Sequence, residues 1–381
     1  MTRAYLDHAS TSPLRAVALE AMLPFLAEHH GDPGRLHAEG RATRVALEDA
    51  REQVAAFVGA RPREVVFTAS GTEAINTAIF GALARGREQG RQHVVTTAVE
   101  HSAVLEAVRR ASDDVTVIGV DARGRFDAAA VTAAVRPDTV LVSLQLANHE
   151  VGTIQPIAEA CAAARTQGAL VHVDACAAVG HLPFAFSALD ADLASITAHK
   201  LGGPKGAAAL LVRRGLRLDP FVVGGAQERA RRGGLENVAA LVGFGAACVD
   251  VTDRLHDEAR AARALIERAA SVLDVVGATR FGDVSEAGSL PNVLCFGVTG
   301  VEAEPILLAL DQHGVAVHSG SACSSELLEP SSVLAAMGVD AEHSLRVSVG
   351  WNTTEADVDR FVDALPGIVD RFRALRTEAS L

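Results

Sequence analysis

Residues 170–200, LVHVDACAAVGHLPFAFSALDADLASITAHK, contain the pattern that decides the fold. Two short apolar runs, residues 170–174 and 193–197, each predict a buried β-strand. Asp174 ends the first strand, and Lys200 follows the second by three residues. Ligands bind at the carboxyl ends of the strands in parallel sheets, so we expect Asp174 and Lys200 to reach one crevice at that edge.

The alternation of strands and helices continues on both sides of this stretch. Apolar strand-like runs are separated by amphipathic helix-like segments, which is typical of βαβ units. The other predicted strands cover residues 64–68, 93–97, 115–120, 139–146 and 207–212, and the predicted helices cover residues 72–85, 103–110, 128–135 and 157–167. The sequence therefore predicts an α/β fold with a mostly parallel seven-stranded sheet.

A smaller α/β domain is predicted from the C-terminal part of the chain. A long helical stretch begins after Glu236 and leads into it. We expect a large domain at residues 13–257, and a small domain that combines residues 1–12 with residues 258–381. The strands of the small domain are predicted at residues 292–296, 316–319 and 345–349, and its helices at residues 304–312 and 355–373.

Composition and charge exclude several classes of function. The 381 residues carry a formal net charge of -12 with only short arginine clusters, so direct binding of nucleic acid is not expected. The five cysteines form no C-x-x-C pair, which predicts neither a metal site nor a disulfide framework and fits a reducing cytoplasm. Residues 1–13 lack the apolar core of a signal peptide. The longest apolar run, residues 238–249, is too short to span a bilayer, so no membrane association is expected.

Lysine usage gives the first indication of chemistry. Of the 35 basic residues only two are lysines, Lys200 and Lys205. Arginine replaces lysine as a surface charge, but its guanidinium does not lose a proton in proteins and cannot supply the neutral amine that a Schiff base requires. Lys200, at the end of a strand, is therefore a candidate for covalent cofactor attachment. The alternative is that two surface lysines survived by chance.

Three further segments each allow a chemical and an ordinary interpretation. The segment Ser70-Gly71-Thr72-Glu73 opens a helix, where backbone N–H groups bind phosphate, or it is a simple helix cap. Asp174 is suited to the pyridinium nitrogen of pyridoxal phosphate (PLP), or it is a loop carboxylate. Cys323 lies among small polar residues, which suits an accessible nucleophile, or it is a cysteine tolerated in a loop.

Together these motifs resemble those of the cysteine desulfurases of NifS/IscS type. The matching segments are Ala198-His199-Lys200-x-x-Gly-Pro-Lys-Gly, Thr-Glu-x-x-Asn at residues 72–76, Glu100-His101, His172-Val173-Asp174 and Ser319-Gly-Ser-Ala-Cys323. Residues 5–9, 224–229 and 344–348 extend the resemblance across nearly the whole chain, in the same order and with the same spacing.

The resemblance implies a class V enzyme of the PLP-dependent transferase fold type I, working as a homodimer with both active sites at the interface. It implies that Lys200 forms the Schiff base with PLP and later moves the proton from Cα, while Asp174 pairs with the pyridinium nitrogen. The resemblance also implies that His101 is catalytic, stacking on the ring and assisting proton transfer. Cys323 attacks the sulfur of L-cysteine and holds it as a persulfide for a sulfur-acceptor protein, while alanine leaves. The other implied contacts are phosphate binding by Gly71, Thr72, Thr197 and His199, and substrate binding by Arg346 and Asn148.

Three positions depart from the pattern of the family. His149 and Ala177 stand where the family usually has Asn and Gln, whose amides donate hydrogen bonds to the phenolic oxygen of the cofactor. We expect the longer His149 to supply that hydrogen bond alone. Leu235 stands where a threonine usually reaches the phosphate in the partner subunit, so one phosphate contact is expected to be lost.

Other functions on the same fold are compatible with the sequence. A selenocysteine lyase or a cystine C–S lyase keeps the PLP site, but such a lyase has no need for the thiol of Cys323. A degenerate PLP protein that serves as a docking platform for sulfur transfer is a third alternative, which the intact set of catalytic residue types disfavours. The tail by which IscS-like enzymes engage their scaffold is not found after Arg373. The destination of the sulfur is therefore left open among iron–sulfur cluster assembly, tRNA thiolation, thio-cofactor synthesis and DNA phosphorothioation.

Overall fold

In the computed structural model, helices and strands alternate along the chain as the sequence predicts. The structure describes residues 3–319, 331–340 and 342–379, and of residues 377–379 it describes only the backbone. The strands are β1 (Ala4–Tyr5), β2 (Val65–Thr68), β3 (His93–Thr97), β4 (Val115–Ile118), β5 (Thr139–Gln145), β6 (Leu170–Asp174), β7 (Leu193–Thr197), β8 (Ala208–Val212), β9 (Ala278–Phe281), β10 (Val293–Val298), β11 (Val315–Ala316), β12 (His318–Ser319) and β13 (Ser344–Ser348). The helices are α1 (Ala16–Ala27), α2 (Ala38–Phe57), α3 (Gly71–Glu88), α4 (Ser102–Ala111), α5 (Ala128–Ala134), α6 (Ile157–Thr166), α7 (Gln227–Ala230), α8 (Val238–Ala270), α9 (Ala303–Gln312), α10 (Ser332–Ala336) and α11 (Glu355–Ala379).

The central sheet has seven strands in the order β2-β8-β7-β6-β5-β3-β4. Strand β8 runs antiparallel to both of its neighbours, and every other pairing in this sheet is parallel. The reversal follows from a short turn between β7 and β8, since a parallel pairing would require a longer crossover connection. The predicted α/β class and mostly parallel seven-stranded sheet are confirmed.

Successive side chains along a strand point to opposite sides of the sheet, and in β2 and β8 the side chains on both sides are buried. In β2, Val65 and Phe67 pack into the core that includes α2 and α8, whereas Val66 packs with residues of α3 on the other face. Strand β8 repeats the pattern, with Leu211 on the first side and Leu210 on the second. Burial on both faces explains why these strands read as continuous apolar runs.

A separate hydrophobic cluster lies in the C-terminal part of the chain. It packs the four-stranded sheet β12-β13-β10-β9 and the β1–β11 pair against α8, α9 and α11. Helix α8 contributes residues up to Val251 to the first core and residues from Ala262 onward to the second. The two clusters thus lie on either side of the division predicted at residue 257, and that division stays a proposal. None of the helices described is long and apolar enough to cross a membrane.

Several elements were not predicted from the sequence. Helices α1 and α2 precede the region in which strands and helices were assigned, and β1, β9 and α10 are short elements. Strand β1 pairs with the distant β11, and β9 pairs with β10. The strand predicted at residues 316–319 is divided, because Ala316 pairs with β1 whereas His318 pairs with β13. Where these strands begin and end depends on which strands they pair with, and the local periodicity of the sequence does not predict it.

A buried ion pair fixes the segment that contains α7. The carboxylate of Glu228 accepts two hydrogen bonds from Arg51, at 2.6 and 2.7 Å, and a third from the backbone of Phe67 at 2.9 Å. Glu228, Arg229 and Ala230 all have positive φ, between 48° and 61°, which is unfavourable for residues other than glycine. The ion pair therefore stabilises a strained backbone as well as the contact between α2 and β2.

We expect Glu228→Gln to lower the free energy of unfolding by about 3–5 kcal/mol, because it removes the buried counterion of Arg51 and leaves only the partly exposed Glu48 beside the guanidinium. Urea unfolding followed by circular dichroism measures the change. Glu48→Gln is the matched control, since Glu48 contacts the same arginine at 3.3 Å but is partly exposed, so its loss is expected to cost less than about 1 kcal/mol. Equal effects of the two substitutions would contradict the prediction.

Candidate active site

A cavity of about 240 Å³ lies at the carboxyl edge of the central sheet, where the sequence predicted a ligand site. Its walls come from the ends of β6 and β7, the start of α3, the loop after β5 and strand β13 of the second sheet. Nine of the predicted site residues line it: Gly71, Thr72, His101, His149, Asp174, Thr197, His199, Lys200 and Arg346. Cys323 lies outside the described residues.

Asp174 and Lys200 are brought together by the parallel pairing of β6 with β7. Asp174 is the last residue of β6 and stands opposite Ser195 in the register of the two strands. Its carboxylate is buried and accepts a hydrogen bond from the backbone N–H of Cys176 at 3.0 Å. Lys200 follows β7 on the same edge and lines the same cavity. The cavity thus holds an anionic carboxylate and an amine, which suit a pyridinium nitrogen and an aldehyde carbon respectively.

The start of α3 lies at the cavity, with Ser70, Gly71 and Thr72 in its wall. Ser70 caps the helix by accepting a hydrogen bond from the N–H of Glu73 at 3.1 Å, so the simple capping interpretation is correct as well. A Cβ on Gly71 would lie 2.9 Å from Sγ of Cys176, so only glycine allows this close approach to the loop after β6. Backbone N–H groups at the start of an 18-residue helix favour an anion.

Two further side chains of the cavity wall, Thr197 and His199, have polar groups that suit an anion. The hydroxyl of Thr197 is buried and has no hydrogen-bond partner among the described residues. Burial, with the charges of Lys200 and Lys205, lowers the pKa of His199 to about 4, so its imidazole is neutral at pH 7 and retains one N–H donor. A buried hydroxyl that lacks a partner, a neutral imidazole and a helix N-terminus together fit a phosphate group. The residues present therefore fit PLP.

Two histidines of the cavity wall contact each other. The rings of His101 and His149 are in edge contact, with centroids 5.1 Å apart and an angle of 62° between their planes. His101 also caps α4, because its Nδ1 accepts a hydrogen bond from the N–H of Ala103 at 3.0 Å. That contact assigns the proton of the neutral ring to Nε2. The ring of His101 is therefore held in one orientation by the backbone of the helix it caps.

Two buried groups beneath the cavity were quoted within sequence motifs but given no role. Burial raises the pKa of Glu100 to about 8, although its carboxylate accepts hydrogen bonds from Thr97 at 2.6 Å and from the backbone of Gln145 at 3.1 Å. Glu100 is therefore mostly protonated at pH 7. Burial lowers the pKa of His172 to about 4, so its neutral ring bridges the hydroxyls of Ser143 on β5 and Ser195 on β7, at 2.9 and 2.8 Å.

Of the two substrate-binding residues predicted from the sequence, Arg346 lines the cavity and Asn148 does not. Arg346 lines the cavity, and its side chain contacts Asp7 at 2.8 Å and Ser10 at 2.7 Å, two residues that the sequence analysis did not single out. Asn148 is fully buried outside the cavity lining. Its amide donates to the carbonyl of Val99, and its Oδ1 accepts from the N–H groups of Glu150 and Val151. The placement of Asn148 does not support a substrate contact, because its donors and acceptors hold the loop after β5.

The four cysteines that the structure describes are poor nucleophiles. Cys161, Cys176, Cys248 and Cys295 are buried, and burial raises the pKa of each thiol above its usual value. Cys176 lines the cavity, but the charge of Asp174 raises its pKa further. A thiolate attack at neutral pH therefore requires a different thiol.

Comparison with known proteins is in accord with this arrangement. The chain matches the family described as Aminotransferase class-V over residues 4–361. It is 41% identical over 384 residues to the cysteine desulfurase IscS of Dictyoglomus turgidum, which covers 97% of this chain and 95% of that protein. The solved structure of a NifS-like protein has a TM-score of 0.91 at 33% identity and covers 97% of this chain and 100% of the other. A structure of SspA in complex with cysteine has a TM-score of 0.79 at 29% identity and covers 91% and 99%. The chain therefore belongs to the class V aminotransferase family, and within it to the PLP-dependent cysteine desulfurases of NifS/IscS type.

Proposed function

We propose that this protein removes the sulfur of L-cysteine, releasing alanine and passing the sulfur through Cys323 to an acceptor protein. The observation that carries the proposal is the convergence of Lys200, Asp174 and Arg346 on one cavity. These three groups recognise an aldehyde carbon, a pyridinium nitrogen and a carboxylate. The complex of the related SspA with cysteine supports L-cysteine as the substrate.

Different residues of the cavity have different roles in this function. Gly71, Thr72, Thr197 and His199 hold the phosphate of PLP, and Asp174 retains a proton on its ring nitrogen. The bound cofactor supplies an electron sink for the pair released at the substrate Cα. The amine of Lys200 would hold the cofactor and would take the proton from the substrate Cα.

Sulfur transfer requires a thiolate, and we assign that role to Cys323. Its sulfur attacks the substrate sulfur, so that an S–S bond forms while the C–S bond breaks. The electron pair of the broken bond stays on the substrate carbon, which is protonated to give alanine. The product on the protein is a persulfide at Cys323. A reductant or an acceptor protein then takes the outer sulfur and restores the thiol.

We expect Lys200→Arg to abolish covalent attachment of PLP, because a guanidinium keeps its proton and does not act as the nucleophile. Lys205→Arg is the matched control, since it changes the only other lysine of the chain and leaves the attachment point. Borohydride reduction of the loaded protein followed by peptide mass spectrometry locates the cofactor. Labelled Lys205, or label retained in Lys200→Arg, would contradict the assignment.

We expect Cys323→Ala to lose sulfide and alanine production from L-cysteine by at least about a hundredfold while still binding PLP, since the sulfur-accepting nucleophile is removed. Cys176→Ala is the control, because that thiol lines the cavity but has a raised pKa. Paired sulfide and alanine assays with a reductant measure the loss. Full activity of Cys323→Ala would indicate a C–S lyase, and an inert wild type that binds PLP would indicate a docking platform.

We propose that His149 supplies the hydrogen bond to the phenolic oxygen of PLP. His149 is buried, lines the cavity and touches His101, whereas Ala177, at the other position where the family has an amide, has no donor. The ring of His149 is held beside Glu150, with 3.6 Å between Nε2 and the nearer carboxylate oxygen. The second oxygen of Glu150 accepts a hydrogen bond from Ser331.

We expect His149→Ala to change the absorption spectrum of bound PLP and to shift the pKa of its spectral transition upward by about one unit, because a donor to the phenolate is lost. His149→Asn, which restores an amide donor, is expected to return the pKa toward the wild-type value. The measurement is a spectrophotometric pH titration of the loaded protein without substrate. An unchanged titration in His149→Ala would refute the role of His149.

We also propose that the protein acts as a homodimer. Large apolar side chains are exposed on α1, near the start of α2 and after α7: Leu19, Leu23, Leu26, Leu36 and Leu235 are each 45% or more exposed. Leu235 lies outside the PLP cavity and lines a second groove with Glu228 and Arg232. Exposed large apolar side chains of this kind favour an association site. Leu235 has no donor for a phosphate, so we propose that the phosphate of the partner subunit receives one contact fewer.

A further inference from the structure

Arg346 is an unusual substrate-binding residue because it is already paired with an anion. Its side chain is 1% exposed, and one terminal nitrogen, Nη2, donates to Oδ1 of Asp7 at 2.8 Å and to the hydroxyl of Ser10 at 2.7 Å. The other terminal nitrogen donates to the carbonyl of His149 at 3.0 Å. A buried guanidinium without a counterion is strongly unfavourable, so Asp7 stabilises the site when no substrate is bound.

One edge of the same guanidinium is prepared for a second acceptor. Nε of Arg346 is buried and has no hydrogen-bond partner among the residues described. A carboxylate that binds side-on takes Nε together with Nη2. Nη2 is the nitrogen now held by Asp7 and Ser10, and the hydroxyl of Ser10 in turn donates to Asp7 at 2.9 Å. Ser10 and Arg346 both line the cavity, which is the space that a substrate carboxylate would enter.

We propose that Asp7 is a positioning residue that pairs with Arg346 in the empty site and competes with the substrate carboxylate for it, and thereby sets the affinity for that carboxylate. The proposal deepens the proposed function and rests on it, because it concerns the carboxylate of L-cysteine. Ser10 acts as the exchangeable contact, since its hydroxyl leaves Nη2 when the carboxylate arrives. Asp7 remains, and the complex then holds two carboxylates on one guanidinium.

This arrangement predicts that replacing Asp7 lowers the stability of the empty protein and raises its affinity for a carboxylate ligand. Asp7→Asn keeps the shape of the side chain but leaves the charge of Arg346 uncompensated, so the empty protein is destabilised. The same change removes the repulsion between the two carboxylates, so a ligand that carries a carboxylate binds more tightly. A residue that only oriented Arg346 would instead weaken ligand binding when it is replaced.

The test uses two fragments of L-cysteine that each lack one group. 3-Mercaptopropionate retains the carboxylate and lacks the amine, whereas cysteamine retains the amine and lacks the carboxylate. Their dissociation constants for the PLP-loaded protein are measured by calorimetry, which needs no turnover. Asp311→Asn is the matched control, because it removes the same charge from an exposed ion pair with Arg3.

We expect Asp7→Asn to bind 3-mercaptopropionate about tenfold more tightly than wild type, with cysteamine unchanged. The ligand is also expected to raise the melting temperature of Asp7→Asn more than that of wild type, because it replaces the missing anion. For L-cysteine the same variant is expected to show a lower KM. Asp311→Asn is expected to behave as wild type in every measurement.

Unchanged or weaker binding of 3-mercaptopropionate by Asp7→Asn would overturn the proposal. If Asp7→Asn does not fold, Ser10→Ala provides the test, because it frees one N–H of Arg346 and removes a donor from Asp7. We expect Ser10→Ala to bind 3-mercaptopropionate about threefold more tightly than wild type. Weaker binding would overturn the proposal. A wild type that binds 3-mercaptopropionate but does not desulfurate L-cysteine would refute the proposed function alone. The comparison of the variants would still decide the role of Asp7.

Discussion

The parallel pairing of β6 with β7 is the constraint on which the site depends. It places the end of β6 and the residues that follow β7 at the same edge of the sheet. Asp174 and Lys200 therefore share a cavity although they are not neighbours in the sequence. The pairing is held by backbone hydrogen bonds and by the neutral ring of His172, which bridges serines on the strands either side of it. A slip of one residue would turn Asp174 toward the opposite face.

Burial decides which groups of the cavity carry charge. Glu100 and His199 have no strong counterion, and burial shifts their pKa values toward the neutral form, upward for the acid and downward for the base. The buried guanidinium of Arg346 is paired with the carboxylate of Asp7. The site therefore presents a small number of charged side chains at defined places, among them Asp174 at the end of β6 and Arg346 on β13. Neutral donors surround them, which suits a zwitterionic substrate.

Three distant parts of the chain supply this arrangement. The large sheet contributes the cofactor position, residues 7–10 follow the short strand β1, and Arg346 stands in the middle of β13. Apolar contacts of Val99 and Val151 with Cys295 and Val333 join the two sheets beside the cavity. The hydrogen bond from Arg346 to the carbonyl of His149 crosses the same boundary. Substrate recognition thus depends on how the two hydrophobic cores are packed together.

The sequence by itself determined the alternation of strands and helices, the seven-stranded sheet and most of the cofactor site. These features are local: a strand buried on both faces reads as an apolar run, and a motif such as residues 198–206 keeps its spacing wherever it is placed. Only the tertiary structure decided which residues meet across the chain. It paired Asp7 with Arg346, turned Asn148 away from the cavity and divided one predicted strand between two partners. Such contacts join residues that are not neighbours in the sequence, 49 positions apart for Asn148 and Val99 and 339 for Asp7 and Arg346. They arise from packing and burial, which no local pattern records.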